Sequence, residues 1–410
     1  MITNDAVIFG ILLVILGLVF TTSNSQHPIW KKFYGVVPAL LLCYFIPSIP
    51  ATLGLFDPAK SKLYFVASRY LLPASLVLLT ISVDLKEIFK LGPKALTMFL
   101  TGTVGIMIGG PIAILILSFI NPALVTAAAP NEIWRGMTTI AGSWIGGGAN
   151  QAAMKEVFNV NGELFSNMVT VDIIVGNLWL GVLLVGVGVS HIIDKKFKAD
   201  NSAIEDLKKK MSDFQDSIKK IPTLPDLMKI LMVAFGCTGL AHFLSDLIAP
   251  YLLENYPKLA QYSLTSGFFW LVIIASMLGV ILSFTKVKKL EGAGASRVGS
   301  ALLYVLIATI GMNMNLLSIF ENPGLFLLGF TWISIHIILL FIVAKIIKAP
   351  YFFIAVGSTA NVGGAASAPI IAASFHPSLA PVGVLLAVFG YVLGTYGAYL
   401  CGLMMQAVSP

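Results

Sequence analysis

Twelve long apolar runs divide the chain and leave few ways for it to fold. They lie at 5–22, 34–56, 63–83, 95–119, 137–158, 166–193, 227–250, 264–285, 298–319, 325–347, 351–374 and 381–405. A helix of about twenty apolar residues spans a bilayer, where only helices or closed barrels satisfy their own backbone. The runs are too long and too continuous for the alternating strands of a barrel. The sequence therefore predicts an all-α membrane protein with about 11–13 transmembrane helices.

The composition supports this assignment and excludes several functions. Hydrophobic residues make up 57% of the chain and charged residues only 11%, whereas soluble proteins carry roughly 25% charged residues. A water-soluble globule is therefore excluded. The net charge of +7 reports in a membrane protein which loops face the cytoplasm, and it does not indicate nucleic-acid binding. Cys43, Cys237 and Cys401 lie far apart in apolar runs, so neither a disulfide framework nor a zinc site is indicated.

The two halves of the chain resemble each other. Residues 80–89, TISVDLKEIF, are similar to residues 309–320, TIGMNMNLLSIF. Residues 142–153, GSWIGGGANQAA, are similar to residues 357–369, GSTANVGGAASAP. Two matches in the same order predict that the protein contains a duplicated unit.

A hydrophilic segment at 194–225 separates the halves, which we place at 1–193 and 226–410. The segment holds eight lysines and six acidic residues. Five apolar residues recur in it at helical spacing: Ile204, Leu207, Met211, Phe214 and Ile218. This spacing is typical of an amphipathic helix on the membrane surface, and a solvated linker is an equal alternative.

Lysine and arginine residues indicate which loops are cytoplasmic. They follow the first, third, sixth, eighth and tenth runs, and such residues concentrate on the cytoplasmic side of a bacterial plasma (inner) membrane. With the N-terminus outside, the Lys-rich central loop is cytoplasmic only if one earlier run turns back. The fifth run is the natural candidate, because GGGAN interrupts its middle. This choice predicts an inverted repeat with two unwound helices, although an additional crossing would satisfy the charges equally well.

Glycine clusters interrupt one apolar run in each half, at Gly146, Gly147 and Gly148 and at Gly363 and Gly364. Backbone freed from helical pairing is tolerated in a bilayer only against protein or a water-filled cavity. Such breaks offer N–H groups to anions and C=O groups to cations. Polar residues crowd both breaks: Ser143, Asn150 and Gln151 at the first, and Ser358, Thr359, Asn361 and Ser367 at the second. We predict one substrate and ion site near the midplane. Close helix packing through small residues is the alternative, but it would not need these polar residues.

An isolated carboxylate, Asp172, lies in the run that follows the first break, with Asn177 five residues later. A charge at membrane depth costs several kcal/mol without partners, so it should face an interior cavity. We predict that Asp172 is a sodium ligand or accepts a proton. A structural hydrogen bond to a neighbouring helix is the alternative for Asp172.

Other polar residues have less specific interpretations. Asp84, Asn313 and Asn315 lie at helix ends beside the shared TISVDLKEIF-type motif, where they either line the cavity or cap a helix or turn. Lys155 and Glu156 follow the first break and are interpreted as an interfacial pair. The chain carries no HExxH, GxSxG, Walker A or GxGD motif, so we expect neither an enzyme nor an ATP-driven pump, and no cofactor other than a coupling Na⁺.

The stretches GSWIGGGANQAA, GSTANVGGAASAP and PASLVLLTISVDLKEIF resemble an uncharacterised family of bacterial multi-pass membrane proteins, catalogued as a domain of unknown function. That family is grouped with the cation:proton antiporter and anion transporter superfamily, which includes bile-acid:sodium, glutamate and citrate symporters. The resemblance implies an inverted repeat, two unwound helices that cross or approach each other, and a core domain that moves against a scaffold or dimerisation domain. It also implies a homodimer.

The same resemblance assigns roles to three residues. In the symporters, polar residues at the first unwound helix bind sodium, as Asn150 and Gln151 would here. In the antiporters, an aspartate on the following helix binds the ion, as Asp172 would here. The antiporters often have two adjacent acidic residues, whereas this chain has Val171 before Asp172, which favours substrate:ion symport or organic-anion export over sodium/proton exchange.

These observations predict a secondary active transporter that works by alternating access. We expect it to move a small organic anion or zwitterion, such as an amino acid or carboxylate, coupled to Na⁺ or H⁺. An ion channel is the first alternative, and an intramembrane enzyme or a sensor is the second. No filter of carbonyls or charged rings of the kind that channels use can be read from the sequence.

Overall fold

The computed structural model describes residues 2–34, 37, 39–81, 85–126, 131–200, 202, 204–205, 222–262, 264–313, 324–376 and 379–410. In these ranges every regular element is a helix, apart from a single β-bridge between Ile2 and Phe56. Seven of the helices described are long and apolar enough to cross a membrane, and an eighth candidate is bent by 96° between Gly267–Ser283 and Lys286–Ala293. The prediction of an all-α membrane protein is confirmed.

The helices overlap all twelve predicted runs. In chain order they are α1 (Asp5–Ser23), α2 (Pro28–Tyr34), α3 (Ala39–Thr52), α4 (Leu63–Ile81, with a π-helical turn at Ala67–Leu71), α5 (Leu85–Lys90), α6 (Pro93–Ile120), α7 (Pro122–Val125), α8 (Ile133–Val157), α9 (Gly162–Gly188), α10 (Ser190–Phe197), α11 (Leu224–Asn255), α12 (Gly267–Ser283), α13 (Ala295–Gly311), α14 (Gly324–Ile346), α15 (Tyr351–Val362), α16 (Gly364–Phe375) and α17 (Ala380–Val408). Short 3₁₀ helices lie at Pro58–Lys60, Pro257–Tyr262 and Lys286–Ala293.

Polar residues just ahead of the apolar runs fix where several helices begin. The Asn161 side chain accepts a hydrogen bond from Leu164 N at 2.8 Å and caps α9. Thr223 and Asp226 form a reciprocal capping box at the start of α11. Each cap satisfies backbone N–H groups that have no partner inside the helix. The long central loop therefore ends at a defined residue, Thr223.

The helix α8 is a hairpin whose two ends lie together. Its backbone leaves helical geometry at Gly147. Near its ends, Arg135 Nη1 donates to the carbonyl oxygen of Phe158 at 3.1 Å, and the Asn161 amide donates to Asn131 Oδ1. We call α8 hairpin A. Because Asn161 caps α9, the open end of hairpin A lies beside the N-terminal end of α9.

The helices α15 and α16 form a second hairpin, which we call hairpin B. Its limbs meet at Gly363, and the rings of Phe352 and Phe375 at its open end have their centroids 5.2 Å apart. The hydroxyl of Tyr351 donates to the carbonyl oxygen of Leu183 at 3.1 Å. The open end of hairpin B therefore lies beside the C-terminal part of α9. The two hairpins enter the molecule from opposite ends of this helix, an arrangement that an inverted repeat would produce, although the repeat itself stays a prediction.

The helices pack mainly within two groups. The first contains both hairpins with α6, α9, α14 and α17, and we call it the hairpin bundle. The second contains α1, α3, α4, α11, α12 and α13, and we call it the framework bundle. Glycines permit close approach inside each group: a Cβ on Gly394 would lie 2.4 Å from Gly146 Cα, and one on Gly311 would lie 2.1 Å from the carbonyl oxygen of Tyr44. Each group is therefore held by backbone-close contacts.

Most of the central linker, at 206–221, lies outside the described residues, and so does the greater part of the amphipathic pattern predicted there. At its start, Lys94 Nζ contacts Asp200 Oδ2 at 2.8 Å. Nearby, Tyr351 N donates to Asp194 Oδ1 at 2.7 Å. The beginning of the linker is thus tied to the open end of hairpin B and to the start of α6.

Candidate solute and ion site

Both hairpins break their helices at glycine. Gly147 has φ 73° and ψ −175°, a backbone region that essentially only glycine adopts. In hairpin B, Gly364 begins the second limb with φ 59°. A helix that stops and restarts leaves N–H groups without helical partners at the new start and C=O groups at the old end. The second limb of each hairpin therefore begins at the tip, with the positive end of its dipole there.

The two tips border one cavity of about 270 Å³ beside the middle of α9. Most of the predicted site residues lie in its wall. The lining includes Ser143, Gly147, Gly148, Asp172, Gly176, Asn177, Trp179, Thr359, Gly363, Gly364 and Ser367 from the hairpin bundle. Ala39 and Tyr304 line it from the framework bundle. The cavity therefore lies at the boundary between the two bundles.

Asp172 lies in this wall and is only 6% exposed. Gln151 Nε2 donates to Asp172 Oδ2 at 2.8 Å, and the hydroxyl of Tyr44 donates to Gln151 Oε1 at 3.2 Å. The side chains of Ser143 and Trp144 also lie near the carboxylate. Gln151 is therefore a positioning residue for Asp172, and it connects the carboxylate to α3 of the framework bundle.

The indole of Trp144 is fully buried, and its Nε1 has no hydrogen-bond partner within normal distance. It lies close to the Asp172 carboxylate. Gly176 lines the cavity, and a Cβ on this residue would lie 4.0 Å from Trp144 Nε1. Because glycine has no side chain, the indole N–H lies next to the cavity. A buried donor without a partner costs about 1–3 kcal/mol. Trp144 Nε1 therefore already approaches the carboxylate of Asp172 and can donate to it after a small adjustment.

Asn150 is fully buried and lies behind the tip of hairpin A. Its amide nitrogen donates to Gly146 O at 2.8 Å and to Tyr391 O at 3.4 Å, and its Oδ1 accepts from the Thr395 hydroxyl at 2.5 Å. Gly146 precedes the break, so Asn150 satisfies a carbonyl group that the interruption releases. Its polar atoms are engaged by protein groups, and the predicted Na⁺-ligand role of Asn150 stays a prediction.

Asn361 makes a similar set of side-chain hydrogen bonds in hairpin B and is also fully buried. Its amide nitrogen donates to Gly357 O at 2.9 Å and to Phe99 O at 3.0 Å, and its Oδ1 accepts from the Thr103 hydroxyl at 2.8 Å. Each hairpin is thus clamped by an asparagine to a threonine on a long helix. Neither asparagine is part of the cavity wall, so we interpret both as positioning residues for the tips.

Ser358 belongs to a buried polar chain that runs away from the cavity. Trp179 Nε1 donates to Ser358 Oγ at 2.8 Å, and Ser358 Oγ lies 2.8 Å from His336 Nε2. His336 Nδ1 lies 2.9 Å from the carbonyl oxygen of Gly102. A carbonyl only accepts, so Nδ1 carries the proton and Nε2 accepts the Ser358 hydroxyl. This chain orients Trp179, which lines the cavity.

The electrostatic character of the wall is set by one carboxylate. No lysine, arginine or histidine lines the cavity among the residues that the structure describes. The Thr359 hydroxyl donates to Ala355 O at 2.6 Å, and the Asn177 amide donates to Ile173 O at 2.6 Å, so their oxygens can accept from a cavity occupant. Within the same described ranges, no group of three His, Cys, Asp or Glu side chains is placed to hold a metal ion.

Asp84 and Asn315 lie outside the described residues. Asn313 is exposed, and its amide donates to Thr309 O at 2.9 Å. It does not line the cavity. This arrangement corresponds to the helix-capping interpretation of Asn313.

Lys155 and Glu156 contact the framework bundle at the open end of hairpin A. Lys155 Nζ donates to the Tyr64 hydroxyl at 2.7 Å, and that hydroxyl also contacts Glu156. Arg69 Nη1 lies 3.7 Å from Glu156 Oε2. The group holds two cations and one anion, and it spans the boundary between the bundles away from the cavity.

Several residues at the site were not found by sequence reasoning. Tyr44, Thr103, Thr395, Trp179 and Tyr304 each lie inside an apolar run. A lone tyrosine or threonine in a membrane helix is common, and its role depends on which helix it faces. The only sequence signal for these residues was a polar group deep inside an apolar run.

Comparisons with known proteins identify the family of this chain. The family model described as "Protein of unknown function (DUF819)" matches residues 10–408. The chain is 27% identical over 354 residues to the uncharacterized membrane protein YjcL of Bacillus subtilis (strain 168), covering 83% of each chain. The chain therefore belongs to the DUF819 family. The wider superfamily that the sequence suggested is not established by these matches.

Proposed function

We propose that this DUF819 protein is a secondary active transporter that moves a small organic solute by alternating access, coupled to Na⁺ or H⁺. One observation carries the proposal: two hairpins enter from opposite ends of α9, and their tips meet at a cavity that contains a buried carboxylate. Broken helices inside a bilayer are tolerated where they line a cavity. Paired broken helices around a midplane site are a recurring design of secondary transporters.

The distribution of charge supports a membrane orientation for this proposal. Lys94, at the start of α6, and Lys348, at the open end of hairpin B, lie at the same end of the bundle, where Asp200 contacts both segments. The positive-inside rule then assigns this end to the cytoplasm of an inner membrane. The arrangement requires ten crossings, namely the seven long helices, α12, and the shorter apolar helices α3 and α13, while each hairpin would return to its own side. Both ends of hairpin A lie outside.

The position of the cavity, at the boundary between the hairpin bundle and the framework bundle, supports motion of one bundle against the other. Its wall combines the hairpin bundle with Ala39 and Tyr304 of the framework bundle. Sliding or rocking of one bundle against the other would open this cavity to one side and then to the other, which alternating access requires. A homodimer, in which the framework bundles meet, stays a prediction.

Asp172 is the residue we assign to coupling. Among the lining residues that the structure describes it is the acidic side chain, and the neutral amide of Gln151 holds it without neutralising its charge. A cation that enters the cavity stabilises this carboxylate, and a buried charge without such compensation is costly. Solute binding and cation binding in one cavity are then energetically linked, both when the two are bound together and when they compete for the carboxylate.

The test is flux in proteoliposomes with imposed gradients. Protein reconstituted at fixed density is given a panel of amino acids, carboxylates and sulfonates under a Na⁺ gradient, a pH gradient or neither. We expect at least one solute to accumulate only when a gradient is present. If every solute is indifferent to both gradients, coupling is wrong.

Two variants separate the role of Asp172 from general damage. Asp172→Asn keeps the size and one oxygen acceptor and removes the charge, so we expect it to remain folded and to lose ion dependence. Asp246→Asn, on the exposed face of α11, is the matched control and should retain coupling. Full coupling in Asp172→Asn would remove this residue from the mechanism.

A further inference from the structure

We propose that the cavity binds its solute through a cationic nitrogen, so that the transported class is a small amino acid or a related zwitterion, and not an organic anion without nitrogen. The inference rests on the proposed transport function and names its substrate class. It replaces the broader expectation, in which anions and zwitterions were equivalent. Three features of the wall carry it.

The first feature is the charge of the wall. Asp172 is the only acidic or basic side chain among the described residues that line the cavity. An organic anion would meet this carboxylate without any facing lysine, arginine or histidine, in a region where charges are weakly screened. An ammonium group instead supplies the missing positive charge and donates to carboxylate lone pairs that Gln151 leaves open.

The second feature is the pair of helix starts at the hairpin tips, which carry the positive ends of the helix dipoles. The second limb of hairpin A starts at Gly148 and that of hairpin B at Gly364, and both glycines line the cavity. Helix starts bind carboxylates through unpaired N–H groups and the helix dipole. A solute that carries both groups can bind Asp172 through its ammonium group and the hairpin tips through its carboxylate. A cavity of about 270 Å³ lies at the small end of ligand pockets, which restricts the solute to a small molecule.

The third feature is the buried indole of Trp144, whose Nε1 lies beside Asp172 without forming a well-aligned hydrogen bond. Its position behind Gly176 and beside Asp172 lets it donate to the carboxylate when the pocket rearranges around a cation. In a site for an anion, a donor such as Trp144 Nε1 would have no fixed negative charge beside it. Here it lies next to a fixed negative charge.

The first experiment is a paired ligand screen on purified full-length protein in detergent, at one Na⁺ concentration and one pH. Each amino acid or aminosulfonate is compared with the same carbon skeleton without nitrogen, for example β-alanine with propionate and taurine with ethanesulfonate. We expect the compounds that raise the melting temperature to carry nitrogen, and their partners to give no shift. A nitrogen-free partner that stabilises equally, or a panel in which no nitrogen-bearing compound stabilises, overturns the inference.

The second experiment measures the affinity of the best nitrogen-bearing compound by titration calorimetry. Asp172→Asn is expected to weaken binding at least tenfold, whereas the exposed control Asp246→Asn should bind normally. Gly176→Ala provides an independent variant, because its Cβ would lie 3.5 Å from Val362 Cγ1 and 4.0 Å from Trp144 Nε1, which are ordinary contacts that keep the fold. It fills the gap beside the indole and should also weaken binding. Unchanged affinity in both site variants overturns the inference.

Flux data distinguish this inference from the transport proposal. Ion-coupled flux of a nitrogen-free carboxylate would overturn the substrate class and leave the transport function standing. Binding of amines that depends on Asp172, without ion-coupled flux, would support the site and remove the coupling.

Discussion

The tip of hairpin A depends on one glycine, and replacing it with alanine tests the geometry of the site. Gly147 has φ 73° and ψ −175°, where an L-residue with a Cβ is strained by about 1–3 kcal/mol. Space is not the obstacle, because a Cβ there would lie 3.4 Å from Tyr391 Cε1. We expect Gly147→Ala to move the tip and to reduce solute affinity about tenfold, the factor that 1.4 kcal/mol represents.

Gly148 is the matched control, one residue further along the same tip. A Cβ on Gly148 would lie 3.8 Å from Leu303 Cδ2 and 3.9 Å from Ile307 Cδ1, and its φ is not positive. Gly148→Ala should therefore keep the melting temperature of the native protein. Calorimetric titration with the best ligand, together with thermal unfolding, compares the two variants.

A further variant separates backbone strain from crowding. If strain is the cause, adding Tyr391→Leu to Gly147→Ala removes the nearest neighbour without restoring affinity. Restoration by Tyr391→Leu would mean that crowding was responsible. Equal behaviour of Gly147→Ala and Gly148→Ala would refute the argument that the tip needs this conformation.

Two other predictions concern packing between elements. Gly394→Ala places a Cβ 2.4 Å from the backbone of hairpin A and should destabilise the protein by about 1–3 kcal/mol. Gly397→Ala, three residues away with its nearest contact at 3.4 Å, should be nearly neutral in thermal unfolding. Equal losses of stability in the two variants would contradict the reasoning. Glu156→Gln leaves Lys155 and Arg69 as facing cations and should cost roughly 2 kcal/mol, less than a fully buried pair because Glu156 remains 15% exposed. Its melting temperature should recover in part when Lys155→Met is added, and no recovery would argue against charge as the cause.

The sequence was sufficient to predict the class of fold, whereas the role of the predicted site residues stays a prediction. All twelve apolar runs contain helices, because run length and the absence of alternation leave few alternatives in a bilayer. The fifth run was identified as a candidate re-entrant segment from glycine content and loop charge together. The structure breaks its helix at Gly147, and the re-entrant path through a membrane stays a prediction. Asp172 was selected because an isolated carboxylate in an apolar run needs a reason to be there.

The packing of the hairpins could not be predicted, because it depends on contacts between distant residues. Asn150 and Asn361 were expected to face the cavity, since they lie beside the glycine breaks. In the fold they point to Thr395 and Thr103, which are 245 and 258 residues away. Periodicity locates a polar residue on a helix, but it does not say which partner satisfies it. Buried amides are satisfied by whichever donors and acceptors the neighbouring helix supplies.

These two asparagine clamps also bear on how a transporter of this design would move. Asn150 belongs to the first half of the chain and binds Thr395 in the second, while Asn361 belongs to the second half and binds Thr103 in the first. The halves are therefore interlocked inside the hairpin bundle, and neither hairpin can leave its long helix without exposing buried polar groups, at about 1–3 kcal/mol each. By contrast, around the cavity the framework bundle contributes Ala39, the ring of Tyr304 and two buried hydrogen bonds, Tyr44–Gln151 and Ser276–Thr395. Motion between the bundles breaks fewer buried polar contacts around the cavity than motion between the halves. The boundary that alternating access uses is therefore expected to follow the bundles and to cut across the sequence repeat.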